Sequence, residues 1–112
     1  MPGKKNKENT MNIEAKRAIL KLLLELAESD KKTAHPKMLY LKEVKRNFES
    51  DGSQLSESDL PDPEQAVAYL RKGEDVLRRQ FLYMAYEMVA MAGKPTLKVR
   101  EKFEELEELL EA

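Results

Sequence analysis

Between residues 13 and 29 the side chains Ile13, Ala18, Ile19, Leu22, Leu23 and Leu26 recur at intervals of three and four, and Leu20, Leu24 and Ala27 widen the band. That period puts them on one broad face of an α-helix, with Arg17, Lys21, Glu25 and Glu28 left for water. No segment of the chain alternates apolar and polar residues with the period of two that a half-buried strand requires. The chain is therefore expected to be all-α, and the remaining question is how many helices it makes and where they stop.

The punctuation answers that question. A second helix begins near Pro36, which suits a first helical turn, with Thr33 or His35 placed to cap it. Met38, Leu41, Val44 and Phe48 form its apolar stripe, and Asp51-Gly52 ends it in a turn. The stretch "SESDL" is expected to add one further turn. In "DLPDPEQAVAYLRKG" Asp62 caps a third helix, with Pro63 at its first position and Gln65 reaching back, a variant of the capping box. Ala66, Val67 and Leu70 face inward, and Gly73 stops it. The fourth helix, Glu74 to Ala92, is the most apolar, with Val76, Leu77, Phe81, Leu82, Met84, Ala85, Met88, Val89 and Ala92. A helix apolar on most sides is expected at the centre of a bundle, with Met84, Met88 and Met91 in the core. Gly93 and Pro95 stop it. Thr96 then caps a last helix striped by Val99, Phe103, Leu106 and Leu110.

With 112 residues the chain supports one core. The domain is expected to span 11–112 as a bundle of about five helices, after a disordered basic tail over 1–10, "MPGKKNKENT". A formal net charge of -1 gives no general attraction to nucleic acid or anionic membrane. The Leu-rich run Ile19 to Leu26 is broken by Lys21 and Glu25, so it is neither a signal peptide nor a membrane span. A cytoplasmic location is expected. With no Cys and one His, thiol chemistry is excluded, and any metal must be held by carboxylates and His35. No Gly-rich phosphate loop or nucleophile elbow is present. The serine- and acid-rich stretch 51–59 lacks the alternating ligands and closing Glu of a calcium loop.

"LAESDKKT", 26 to 33, and "VAMAGKPT", 89 to 96, share an apolar residue, Ala, a small residue and then a turn with Lys and Thr. Each follows a long apolar helix and precedes an amphipathic one, which makes a repeat of two helix-turn-helix halves with a connecting helix between. In this organisation, from Ile13 to Leu110, the chain resembles the TerB-like family, named for tellurite resistance. Its two helical hairpins typically carry an "A-x-A-D-G" turn and an acid some seven positions on. "AESDK" at 27 to 31 and "AMAGK" at 90 to 94 occupy those places, and "EDVLRRQFLYMAYEMVAMAG" resembles the helix that leads to the second turn. The resemblance implies a small all-helical domain tied to stress responses, with divalent metal bound through the acids. Here Asp30 keeps the first acid. Lys31 stands for the usual Gly, Lys37 for the later Glu, and Gly93 and Arg100 for the acids of the second copy.

Three sites follow from these residues. A divalent-metal site would use Asp30, the acid matched by the family, with Glu28 and His35 completing it; against it stand Lys31, Lys32 and Lys37, which repel a cation, and the alternative is a polar corner. A partner surface would use the basic cluster Arg71, Lys72, Arg78 and Arg79. Glu87, the lone acid in "FLYMAYEMVAMA", is expected in a narrow polar strip with Arg79, Tyr83 and Tyr86, and would serve either as a buried acid or base or as a half-exposed residue paired with a neighbouring Arg or Lys. The expected function is a non-catalytic interaction or regulatory module, binding a protein partner or a second copy of itself and holding no cofactor. A metal-binding stress protein is the alternative, and a small enzyme built on Glu87 ranks third.

Overall fold

The computed structural model describes residues 11–111, so the basic tail over 1–10 lies outside the described residues. Five α-helices follow in order: α1 Ile13–Ala27, α2 Ala34–Phe48, α3 Pro63–Lys72, α4 Asp75–Met91 and α5 Leu97–Glu111. Short 3-10 turns lie at Lys31–Thr33, Glu49–Asp51 and Glu57–Asp59, and no strand occurs among the described residues. The architecture is a small all-α bundle in which α1 with α2 and α4 with α5 form two hairpins joined through α3. No helix among the described residues is long and apolar enough to cross a membrane.

The caps sit where residue chemistry places them. The Asn12 side chain accepts from Ala15 N at 2.8 Å and starts α1. Asp62 and Gln65 close the capping box of α3, with Asp62 Oδ1 accepting from Gln65 N at 2.8 Å. Gly52 and Gly93 take φ of 93° and 95°, the left-handed region that other side chains rarely adopt, and end the runs before them. Thr33 flanks α2 without using its side chain as a cap, because that hydroxyl accepts from Lys37 instead.

The core corrects one expectation. The most deeply buried helix is α1, not α4: Ala15, Ala18, Ile19, Leu20, Leu22, Leu23, Leu26 and Ala27 are all buried, and α1 touches each of the other four helices. Each such Leu or Ile stabilises the fold by roughly 1.5–3 kcal/mol relative to exposure. On α4 only Phe81, Ala85 and Met88 are fully buried. Its surplus of apolar residues faces outward, with Val76, Tyr83, Tyr86 and Met91 exposed, so Met91 leaves the core stripe expected of it.

Three charged residues, Lys16, Asp30 and Lys37, are buried among the described residues, and the first of them ties the central helix to the turn after α2. Lys16 of α1 is 6% exposed, and its Nζ donates to Phe48 O at 2.7 Å and to Asp51 Oδ2 at 2.8 Å, lying 6.0 Å from the Phe48 ring centroid. It thus caps the end of α2 and neutralises the acid in the following turn. The Lys16 ammonium, then the Ser53 hydroxyl and backbone N–H, hold the Asp51 carboxyl far below the ordinary carboxylate range.

A depressed carboxyl favours the folded state above its unfolded value, and that contribution is lost as pH falls toward the folded value. Stability should therefore decline on acidification below about pH 4. Lys16→Met, which removes the main donor, should flatten that decline, as urea midpoints measured across the acid range would show. An equally steep decline in the variant would assign the acid sensitivity to other groups.

Candidate functional site

The two corners of the hairpins meet. Asp30, 7% exposed, starts the first corner by accepting from Lys32 N at 3.0 Å. The Thr96 side chain of the second corner lies near enough to the same carboxylate to lower its pKa, while Thr96 Oγ1 accepts from Val99 N at 3.4 Å and caps α5. One threonine thus links the start of α5 to the end of α1. Its side chain, then the Lys32 amide and the charges of Lys98 and Lys37, lower the Asp30 pKa against the opposing effect of burial.

Lys37 is the unexpected member of this corner. It is 1% exposed, and its Nζ donates to Thr33 O at 2.8 Å and to Thr33 Oγ1. Burial lowers its pKa and the nearby Asp30 carboxylate raises it, with burial the larger effect. The corner therefore contains its own cation, because the Lys37 ammonium lies inside it. The other two residues of the expected metal set point elsewhere, since Glu28 and His35 are exposed. Among the described residues no three His, Asp or Glu side chains gather closely enough to hold a metal ion. A hard cation needs several converging oxygens, and it would here share one carboxylate with two lysines.

The basic cluster is brought together but is already engaged. Arg71, Lys72, Arg78 and Arg79 line an open cleft of about 600 Å³ with the acids Asp75 and Glu111. Arg78 Nη1 donates to Leu70 O at 2.8 Å and to Arg71 O and Gly73 O at 3.0 Å each, closing the orphan carbonyls at the end of α3. It acts as a helix cap, so the surface role expected of it passes to its neighbours. Arg79 Nε and Nη2 both donate to Asp75 Oδ2, at 2.9 Å and 2.6 Å. Arg79, then Arg78, lower the Asp75 pKa.

Glu87 is half-buried and accepts from the Tyr40 phenol of α2 at 2.6 Å, in place of the base expected beside it. Burial, then this bond and the charge of Glu87, push the Tyr40 phenol well above its ordinary value. Beside this pair an exposed stripe runs along α4, and of its residues only Val76 was expected in the apolar set of that helix. Val76, Arg79, Tyr83, Tyr86 and Ala90 recur at alternating intervals of three and four along the outside of α4, and Tyr83 and Tyr86 are 66% and 67% exposed. Helical geometry places this stripe opposite the buried Phe81, Ala85 and Met88. Two signals in the sequence pointed to it: the heptad-like interval, and the polar phenol tips of tyrosines in an otherwise apolar run.

Comparison of the chain with protein-family models, with curated proteins and with solved structures returned no match.

If Lys37 serves as the internal cation of the corner, Lys37→Ala should destabilise the fold by roughly 2–4 kcal/mol, since it empties a buried stem and strips a donor from Thr33. Lys37→Met restores the stem alone and should recover at least half of that loss. Urea unfolding of both variants measures the difference, and a Lys37→Ala loss below about 0.5 kcal/mol would mean that the corner closes without it.

Proposed function

We propose that this chain is a non-catalytic helical interaction module, TerB-like in its paired hairpins, whose contact surface is the outer face of α4. The observation that carries this reading is the pair of exposed tyrosines, Tyr83 and Tyr86, set with Val76 and Ala90 along one side of a helix whose other side is core. Large aromatic side chains with polar tips are enriched at the centres of protein interfaces, where they bury much area at small entropic cost. Such side chains contribute little to an isolated fold when two thirds of their surface meets water.

The state of the acids supports a module over an enzyme. Asp30 is surrounded by donors and lysines, Asp75 is bound by two arginines, and Glu87 is bonded to Tyr40. A general base needs an open approach to a substrate proton, and each of these carboxylates is engaged within the fold. The same neighbours argue against the metal-binding alternative, because Lys37 already supplies positive charge to the Asp30 corner.

The reading is tested by placing a photo-crosslinking phenylalanine analogue at position 83 or 86 in cells, with the exposed Glu64 of α3 as the control position. Discrete adducts are expected from the two α4 positions and none from the control. Tyr83→Ser with Tyr86→Ser should abolish adducts formed from position 90 while changing unfolding free energy by less than about 1 kcal/mol. Absence of adducts from both α4 positions would refute this contact surface.

A further inference from the structure

The outer face of α4 is specific enough to indicate what covers it. Its stripe runs for 15 residues, from Val76 to Ala90, which is about 21 Å between its ends at a rise of 1.5 Å per residue. Its alternating intervals of three and four are those of a helix that packs along a second helix. The charges beside the stripe are opposite at its two ends: Arg79 lies four residues before Tyr83, and Glu87 four residues after it. We propose that this face pairs with the same face of a second copy of the chain, antiparallel about a two-fold axis at Tyr83, with Arg79 of each copy meeting the partner's Glu87.

Charge decides the direction. A parallel pair in register would set Arg79 against Arg79 and Glu87 against Glu87, which is repulsive at both levels. The antiparallel pair places each Arg79 at the height of the opposite Glu87, so one two-fold axis creates two attractive contacts. The same register sets Val76 at the level of the partner's Ala90, a large residue against a small one, and brings Arg79 alongside the partner's Tyr86, where a guanidinium stacks well on an aromatic face. Tyr83 meets its own copy at the axis.

Both charged groups have capacity left for this contact. Arg79 uses Nε and Nη2 on Asp75, and Nη1 has no acceptor among the described residues. Glu87 accepts the Tyr40 phenol on Oε1, and Oε2 has no donor among them. Tyr40 therefore fixes the carboxylate at the edge of the stripe before a partner arrives. The contact is one helix wide, so it belongs at the small end of specific interfaces, and the dimer is expected to be weak and concentration-dependent.

The inference rests on the reading of α4 as the contact face, and sedimentation equilibrium of the purified full chain separates the two. The wild type should show a monomer–dimer equilibrium. Arg79→Glu should weaken it by about tenfold or more, and Arg79→Glu with Glu87→Lys should return it to within about threefold, because the swapped charges pair again. Tyr83→Arg, which puts like charges at the axis without touching Glu87, should abolish the dimer, and circular dichroism of each variant checks that the fold persists. A chain that stays monomeric at all concentrations overturns the second copy as the occupant. In that case crosslinks from position 83 to a different protein would leave the module standing, and no crosslinks would remove both. A dimer indifferent to Arg79→Glu and Tyr83→Arg would use another face and would equally overturn the proposal.

Discussion

The burial of α1 is the constraint on which the rest of this fold depends. Eight apolar residues of one 15-residue helix are withdrawn from water, and covering them takes all four of the other helices. The helix has few polar residues to spare for solvent, so one of them, Lys16, is drawn inward and finds acceptors in the end of α2 and the turn beyond it. The ammonium, its carbonyl and its carboxylate are mutually satisfied, which is the condition under which a charge can sit inside a small core. The path of the chain between α2 and α3 is thus tied to the central helix at a polar point as well as by Leu55, which is buried with the core.

Much of this was legible in the chain. Helix number, order and ends followed from apolar period and from the punctuation at Asp62, Pro63, Gly73, Gly93 and Thr96, because caps and breakers act within a few residues of where they stand. The ranking of the helices was not legible. The helix α4 has more apolar residues than any neighbour, and an apolar count is the same whether the second face meets a core or water. The phenol tips of Tyr83 and Tyr86 hinted at a polar side, but that the burial on α4 narrows to Phe81, Ala85 and Met88 while Val76 and Met91 meet water is shown by the fold alone.

The site residues divide in the same way. Asp30 as a cap is a local matter, and the sequence around it indicated a corner. That Asp30 is also reached by Thr96, more than sixty residues later, depends on how two hairpins pack, which no local signal encodes. Lys37 would ordinarily be placed on the surface by its type. Its burial reflects a long apolar stem filling space between helices while its head stays beside Thr33 and Asp30. Arg78 likewise read as surface charge and proved to be the donor that closes α3, because the carbonyls it serves come within reach only after the chain turns at Gly73.

The position of α1 also matters while the protein is being made. The central helix is synthesised before the four that cover it, and two of these, α4 and α5, follow it by some fifty residues or more. As the chain emerges from the ribosome, α1 has its Leu-rich surface ready with α2 and α3 as the only local cover, and its final shelter waits on the distant half of the sequence. A nascent chain of this design carries an adhesive segment through most of its own synthesis. How long that surface stays uncovered during synthesis is set by the order in which the helices are written, and not by how well they finally pack.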